Sequence, residues 1–137
     1  MTILITGGCG YTGTILTQNL LEKGYKVKVV DNQWFGNHLK KNPNLKIYKQ
    51  DIRDIKENIF NKVKTVVHLA NIPNDPSVEL NQNLSWEVNV LATKKIIEMS
   101  IKNKVKQFIY ASSGSVYGIK KEKKVTEDLL PVPISTY

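Results

Sequence analysis

Thr6-Gly7-Gly8-Cys9-Gly10-Tyr11-Thr12-Gly13 is the stretch that decides the fold. Glycines at 7, 10 and 13 stand between an apolar run, Ile3-Leu4-Ile5, and an amphipathic run in which Ile15, Leu16, Leu20 and Leu21 recur at helical spacing until Gly24. The first run reads as a buried parallel strand and the second as a helix. Strand, glycine turn and helix is the context in which this spacing predicts a dinucleotide site. Gly7 is expected to allow the tight turn and Gly10 to let the backbone approach a pyrophosphate. Gly13 is expected to let the helix pack on the strand, while the helix N-terminus offers unpaired N–H groups and a partial positive charge. Taken alone, the same stretch also fits a βα turn that binds nothing.

Outward from the turn, Val27-Lys28-Val29-Val30-Asp31 predicts a second strand ending in an acid 18 residues beyond Gly13. A carboxylate there can accept hydrogen bonds from both hydroxyls of an adenosine ribose and repels a 2′-phosphate, so Asp31 favours NAD over NADP. Residues 32–44 form a polar link whose Trp34 and Phe35 can shield an adenine or a partner surface, although packing down onto the sheet is the commoner fate of loop aromatics; His38 is given no role. Leu45-Lys46-Ile47-Tyr48-Lys49 alternates as a third strand, and Asp51 is a good N-cap for a helix expected to run to about Phe60. The Asp51 side chain can also reach an adenine amino group, with Ile52 against the ring. Val63 to Asn71 reads as the fourth strand. Small Ala70 at its end leaves room for a ribose, and His68 reads as a hydrogen-bonded core histidine. Asp75-Pro76 suggests an N-cap and first-turn proline. A long helix is expected over 82–102, with Leu84, Val88, Leu91, Ala92 and Met99 on or near one apolar face and Trp86, Ile97 and Ile101 widening it. Asn89 interrupts that face, and a buried amide needs a cofactor or backbone partner. Val105 to Ala111 is the fifth strand, delivering Ser112-Ser113-Gly114-Ser115-Val116-Tyr117-Gly118 to the same edge.

Composition narrows the class. The 137 residues are 41% apolar with strong periodicity, which excludes disorder, and no apolar run reaches the length of a membrane span. The expectation is one α/β domain over 1–137, a Rossmann-type parallel sheet of order 3-2-1-4-5 with helices on both faces. The net charge of +8 raises a nucleic-acid reading. The lysines are dispersed over element ends without interleaved aromatics, so neither nucleic acid nor a membrane is expected as partner, while anionic nucleotides are attracted. A lone cysteine, Cys9, cannot form an internal disulfide, fits a cytoplasmic setting and reads as a packing residue. No histidine pair at ligand spacing suggests a metal.

These motifs in this order resemble the extended short-chain dehydrogenase/reductase family, the NAD-dependent nucleotide-sugar epimerases and dehydratases. The resemblance rests on Thr6 to Gly13, Asp31-Asn32, Asp51-Ile52-Arg53, His68-Leu69-Ala70-Asn71, Val88-Asn89-Val90 and Tyr110 to Gly118. It implies that Gly7, Gly10, Tyr11, Thr12, Gly13, Asp31, Asn32, Asp51, Ile52, Leu69, Ala70 and Asn89 line NAD. It further implies that Ser113 and Tyr137 are the catalytic pair, oxidising a hydroxyl, at C4, of a nucleotide-diphosphate sugar by hydride transfer. Epimerisation, dehydration, decarboxylation and simple oxidation stay open as outcomes. A non-catalytic NAD-binding sensor or interaction module is the alternative reading, though it needs neither Ser113 nor Tyr137.

The family's tyrosine begins Tyr-x-x-x-Lys, and this sequence ends on the tyrosine. A phenol has a pKa of about 10, so acting as a base near neutrality needs a depression of roughly three units, or ~4 kcal/mol, which the lysine ammonium and the nicotinamide charge supply in the family. The expectation is that these residues are the N-terminal part of a protein about twice as long and carry no useful turnover alone. The broad apolar face of the 82–102 helix fits either a homodimer contact or burial beneath a further helix.

Overall fold

The computed structural model describes residues 1–73 and 75–134. Tyr137 therefore lies outside the described residues. Five parallel strands, β1 (Thr2–Thr6), β2 (Lys26–Asp31), β3 (Leu45–Lys49), β4 (Val63–His68) and β5 (Gln107–Tyr110), form one sheet of order β3-β2-β1-β4-β5. The expected topology is the observed one. In-register pairs such as Ile5 with Val29 and Val30 with Tyr48 carry it across the β3-β2-β1 half.

The alternation within β1 sends its side chains into two cores. Ile3 and Ile5 join Val27, Val29 and Val67 beneath Leu16, Leu20 and Leu21 of helix α1 (Tyr11–Glu22). Leu4, Val30 and Val66 face the other way, onto Ile52, Ile55, Ile59, Phe60, Val88, Ala92 and Ile96. Burying each such side chain contributes about 1.5–3 kcal/mol relative to leaving it exposed. Helix α1 closes with Gly24 N–H donating to Leu21 O at 2.9 Å and Tyr25 N–H to Leu20 O at 3.0 Å, the paired bonds of a Schellman stop.

The second face departs from expectation in two places. The helix foreseen from Asp51 to Phe60 is instead two 3-10 turns, Ile52–Asp54 and Glu57–Phe60, separated by extended Ile55 and Lys56. Burying Ile52, Ile55, Ile59 and Phe60 together is what this broken path achieves. Lys28 from β2 fastens the second turn, its ammonium donating to Ile59 O and Asn61 O, both at 2.8 Å.

Helices α2 (Asp75–Leu80), α3 (Gln82–Trp86) and α4 (Thr93–Lys102) follow β4. The expected 82–102 helix is continuous, but its middle, Glu87–Ala92, is wound as a π turn. Its buried face runs through Ser85, Val88, Ala92, Ile96 and Ser100, whereas Leu91, expected inward, is 50% exposed. The i→i+5 winding shifts the helical phase, so a 3.6-residue count no longer tells inside from outside. Trp86, Val90, Leu91, Ile97 and Ile101 remain as exposed apolar side chains. No helix among the described residues is long and apolar enough to cross a membrane.

Candidate nucleotide-binding cleft

Parallel strands put every strand's C-terminal end on one edge, and the site is built there. Gly7 extends β1 by one bond, its N–H donating to Val30 O at 2.8 Å, and then turns with φ +72°. A β-carbon on Gly7 would stand 2.7 Å from Ala70 N, and one on Gly13 would stand 2.2 Å from Gly7 O. Backbone therefore presses on backbone at both positions, which brings the start of α1 down to the sheet edge. Gly10 is the N-cap of α1, supplies no side-chain cap, and no acid occupies the first turn. The unpaired amides of that turn are left for an outside acceptor.

Asp31 stands beside the turn and is bolted to it. Its Oδ2 accepts from Cys9 N–H at 2.9 Å and its Oδ1 from Gln33 N–H at 2.7 Å. Each oxygen keeps lone-pair capacity for a further donor. Burial, with the neighbouring Asp31 charge, pushes the Cys9 thiol up to about 11. Cys9 is therefore a neutral packing residue, as expected.

Asp51 caps the first 3-10 turn by accepting Arg53 N–H on Oδ1 at 2.8 Å. The Arg53 guanidinium also grips both carboxylate oxygens, Nε to Oδ1 at 3.1 Å and Nη2 to Oδ2 at 3.0 Å. Those side-chain hydrogen bonds hold the Asp51 carboxyl below its ordinary pKa. His68 is sealed beneath the edge at 1% exposure, with Nδ1 2.5 Å from Thr6 Oγ1 and Nε2 2.8 Å from Thr93 Oγ1. Ala70 N–H donates to the same Thr6 oxygen at 3.4 Å. Each ring nitrogen thus has a hydroxyl partner that can either donate or accept, so both are satisfied in either neutral tautomer. Burial lowers the His68 pKa to about 4.

These elements enclose a cleft of about 850 Å³. Gly7, Gly10, Tyr11, Thr12, Gly13, Asp31, Asn32, Asp51, Ile52, Leu69 and Ala70, all singled out from sequence, line it together. Asn89 does not line it. Its amide forms a double bond pair with the main chain of Ile72, Oδ1 accepting from N–H at 2.7 Å and Nδ2 donating to O at 3.1 Å, so backbone is its partner. Ser112, rather than Ser113, lines the far end. Ser113 caps the 3-10 turn Gly114–Tyr117, accepting Ser115 N–H at 3.1 Å, and its Oγ lies 2.7 Å from Ser115 Oγ.

Trp34, Phe35 and His38 also line the cleft, with Trp34 and Phe35 60% and 85% exposed. Packing down onto the sheet, the commoner fate expected for these aromatics, is not the one seen. Ile72, Pro73 and Val88 are wall residues that sequence reasoning missed. Val88 was singled out only as core and as part of the Val88-Asn89-Val90 motif, and neither reading places it on the cleft wall. Among the described residues no group of metal-ligating side chains occurs.

The open helix terminus, the glycine cradle that a β-carbon would fill and the carboxylate at the end of β2 fit a dinucleotide. Known proteins point the same way. The UDP-glucose 4-epimerase of Halalkalibacterium halodurans is 32% identical over 143 residues, covering 100% of this chain and 42% of the relative. The UDP-N-acetylglucosamine 4-epimerase from Methanobrevibacter ruminantium, solved in complex with UDP-N-acetylmuramic acid, matches with a TM-score of 0.93 and 28% identity over 99% of this chain and 45% of that one. The Thermus thermophilus UDP-glucose 4-epimerase in complex with NAD matches with a TM-score of 0.88 and 26% identity over 100% of this chain and 46% of that one. The chain spans less than half the length of these relatives. With the pattern described as "NAD dependent epimerase/dehydratase family" matched over residues 3–137, on the fold and cleft described above, the chain belongs to that family.

Proposed function

We propose that the cleft seats NAD and serves the oxidation of a nucleotide-diphosphate sugar at a ring hydroxyl, C4 being the expected position. The observation that carries the reading is the placement of Asp31, bolted through Cys9 N–H to a glycine turn that opens onto an uncapped helix N-terminus. In this reading the amides at the start of α1 hold the pyrophosphate, Asp31 receives the adenosine ribose hydroxyls, and Asp51 with Ile52 frames the adenine. Leu69 and Ala70 line the middle of the cofactor's path. NAD, when bound, supplies the hydride acceptor.

Ser113 is proposed to hydrogen-bond the reacting sugar oxygen and Tyr137 to take its proton. Ser113 is now occupied by Ser115 and by its own cap, so serving a substrate oxygen means exchanging the bond to Ser115 Oγ. The 137 residues do not include the lysine that, four positions past Tyr137, would bring a phenol toward neutrality. The 137 residues alone are therefore proposed to bind cofactor without turnover. Conversion of UDP-glucose by the 137 residues would remove that part of the proposal. The exposed side chains of Trp86, Val90, Ile97 and Ile101 are proposed to meet a second copy; sedimentation as a single 15.6 kDa species would remove that part.

The experiment that tests the cofactor reading is calorimetric titration with NAD and with NADP. NAD is expected to bind at least about tenfold tighter, a difference of about 1.4 kcal/mol. NADP binding equally well or better overturns the role given to Asp31.

A further inference from the structure

The π turn Glu87–Ala92 touches both walls of the cleft within three consecutive residues. Glu87 Oε2 accepts from Arg53 Nη1 at 2.6 Å, and Arg53 in turn holds both oxygens of Asp51. Val88, 8% exposed, lines the cleft itself. Asn89 brackets the main chain of Ile72 on the opposite wall. Lys95, one turn beyond, donates to Arg53 O at 2.6 Å, so the main chain of the first 3-10 turn is tied to the same helix. A π turn is uncommon in helices and collects at functional sites, because the wider winding aims side chains where an α-helix would not.

We propose that Glu87, Asn89 and Arg53 form a brace that sets the separation and aim of the two cleft walls, making all three positioning residues for the nucleotide. The inference rests on the reading of the cleft as an NAD seat. Arg53 acts on the adenine end. Its planar fork fixes the carboxylate of Asp51 in one rotamer, and the third arm, to Glu87, stops the whole turn from swinging away from the sheet. Asn89 acts on the middle of the cleft. Ile72 stands after β4, with β1 and β2 between it and Asp51, and the amide satisfies both its N–H and its C=O.

Strength is not the argument. Arg53 and Glu87 side chains are 37% and 50% exposed, and ion pairs so open to solvent contribute little to stability. An exposed pair of small energy in a bidentate, three-armed arrangement is suited to fixing geometry, since the fork defines a plane as well as a distance. The brace therefore separates from a general stabilising role by what it changes.

Calorimetric titration of NAD and of ADP into wild-type protein and the variants Arg53→Ala, Arg53→Lys and Asn89→Ala tests it, with a thermal melt of each. Arg53→Ala is expected to weaken NAD and ADP alike, about tenfold, because both carry the adenine end. Arg53→Lys keeps the charge and loses the fork, and is expected to remain at least about threefold weak. Asn89→Ala is expected to weaken NAD about tenfold and ADP less than about threefold. Arg53→Ala or Asn89→Ala leaving both ligands within twofold of wild type overturns the brace. So does one pattern of loss shared by both variants in step with a lowered melting temperature, which marks plain destabilisation. A wild-type chain that binds neither ligand overturns the NAD reading instead.

Discussion

Strands β1 and β5 lie in one parallel sheet and end on the same edge, yet four of the five residues of β1 are buried and none of the four of β5. β1 has helix α1 on one face and the 82–102 helix on the other, and neighbours on both sides. β5 has one neighbour, with Ile109 and Tyr110 44% and 46% exposed. The functional groups divide along the same line. The glycine turn, Asp31 and Ala70 stand on the packed centre and are held by backbone on backbone; Ser112 and Ser113 stand at the end of the open strand and are held by short local bonds. The seat proposed for the cofactor needs fixed geometry, and the interior supplies it.

If the centre is as rigid as its contacts imply, one added methyl there should be intolerable. Gly13→Ala puts a carbon 2.2 Å from Gly7 O, a contact no rotamer change can relieve. The expected loss is about 4 kcal/mol of stability or outright failure to fold, among the larger effects of a single substitution. Urea unfolding measures it, and a loss under ~1 kcal/mol would show that the turn gives way and that the contrast between centre and edge is overstated.

Acid should reach the centre through His68. Its pKa falls from 6.5 in the unfolded chain to about 4 in the folded one, so above pH 6.5 both states are neutral there and stability is unaffected. Between pH 6.5 and 4 the unfolded chain takes up a proton that the folded chain refuses, and stability declines, by about 3 kcal/mol at pH 4. The check is the pH dependence of unfolding for wild type against His68→Gln, in which this part of the slope should vanish. Equal slopes would mean that His68 accepts its proton in place and that the seal is incomplete.

The smallest effect belongs to the open strand. Ser113→Ala removes a cap and a serine–serine bond, both at the surface, and is expected to change stability by less than about 0.5 kcal/mol and NAD affinity by less than twofold. A loss of several kcal/mol would place Ser113 on the rigid side of the division.

The sheet order and the residues that line the cleft were legible in the sequence because each rests on short-range patterning: a period of two, a glycine spacing, an acid at a strand end. What was not legible depends on partners far along the chain. Asn89 could be recognised as an amide in need of a partner, but not that Ile72 is the partner. Arg53 appeared only as part of a motif, because its fork to Asp51 is local while its third arm crosses 34 residues to Glu87. Leu91 was placed inward because counting at 3.6 residues per turn cannot register the extra residue of a π turn. Ile96, fully buried, was legible and overlooked, since it follows Val88 and Ala92 at four-residue spacing. The helix expected over 52–60 failed at Ile55, where burying a side chain outweighed continuing the hydrogen-bond ladder.

His68 offers a clock for the centre of the sheet. Its Nε2 lies 2.8 Å from Thr93 Oγ1, and its ring stacks on Tyr110 at a centroid distance of 5.6 Å. A proton carried on that ring is covered by Thr93 of α4 and by Tyr110, so its exchange with deuterated water is governed by how often α4 lifts from the sheet edge. A resonance that ordinarily vanishes into the solvent would here persist, and its lifetime would report the opening free energy of that packing from within, without any ligand or denaturant.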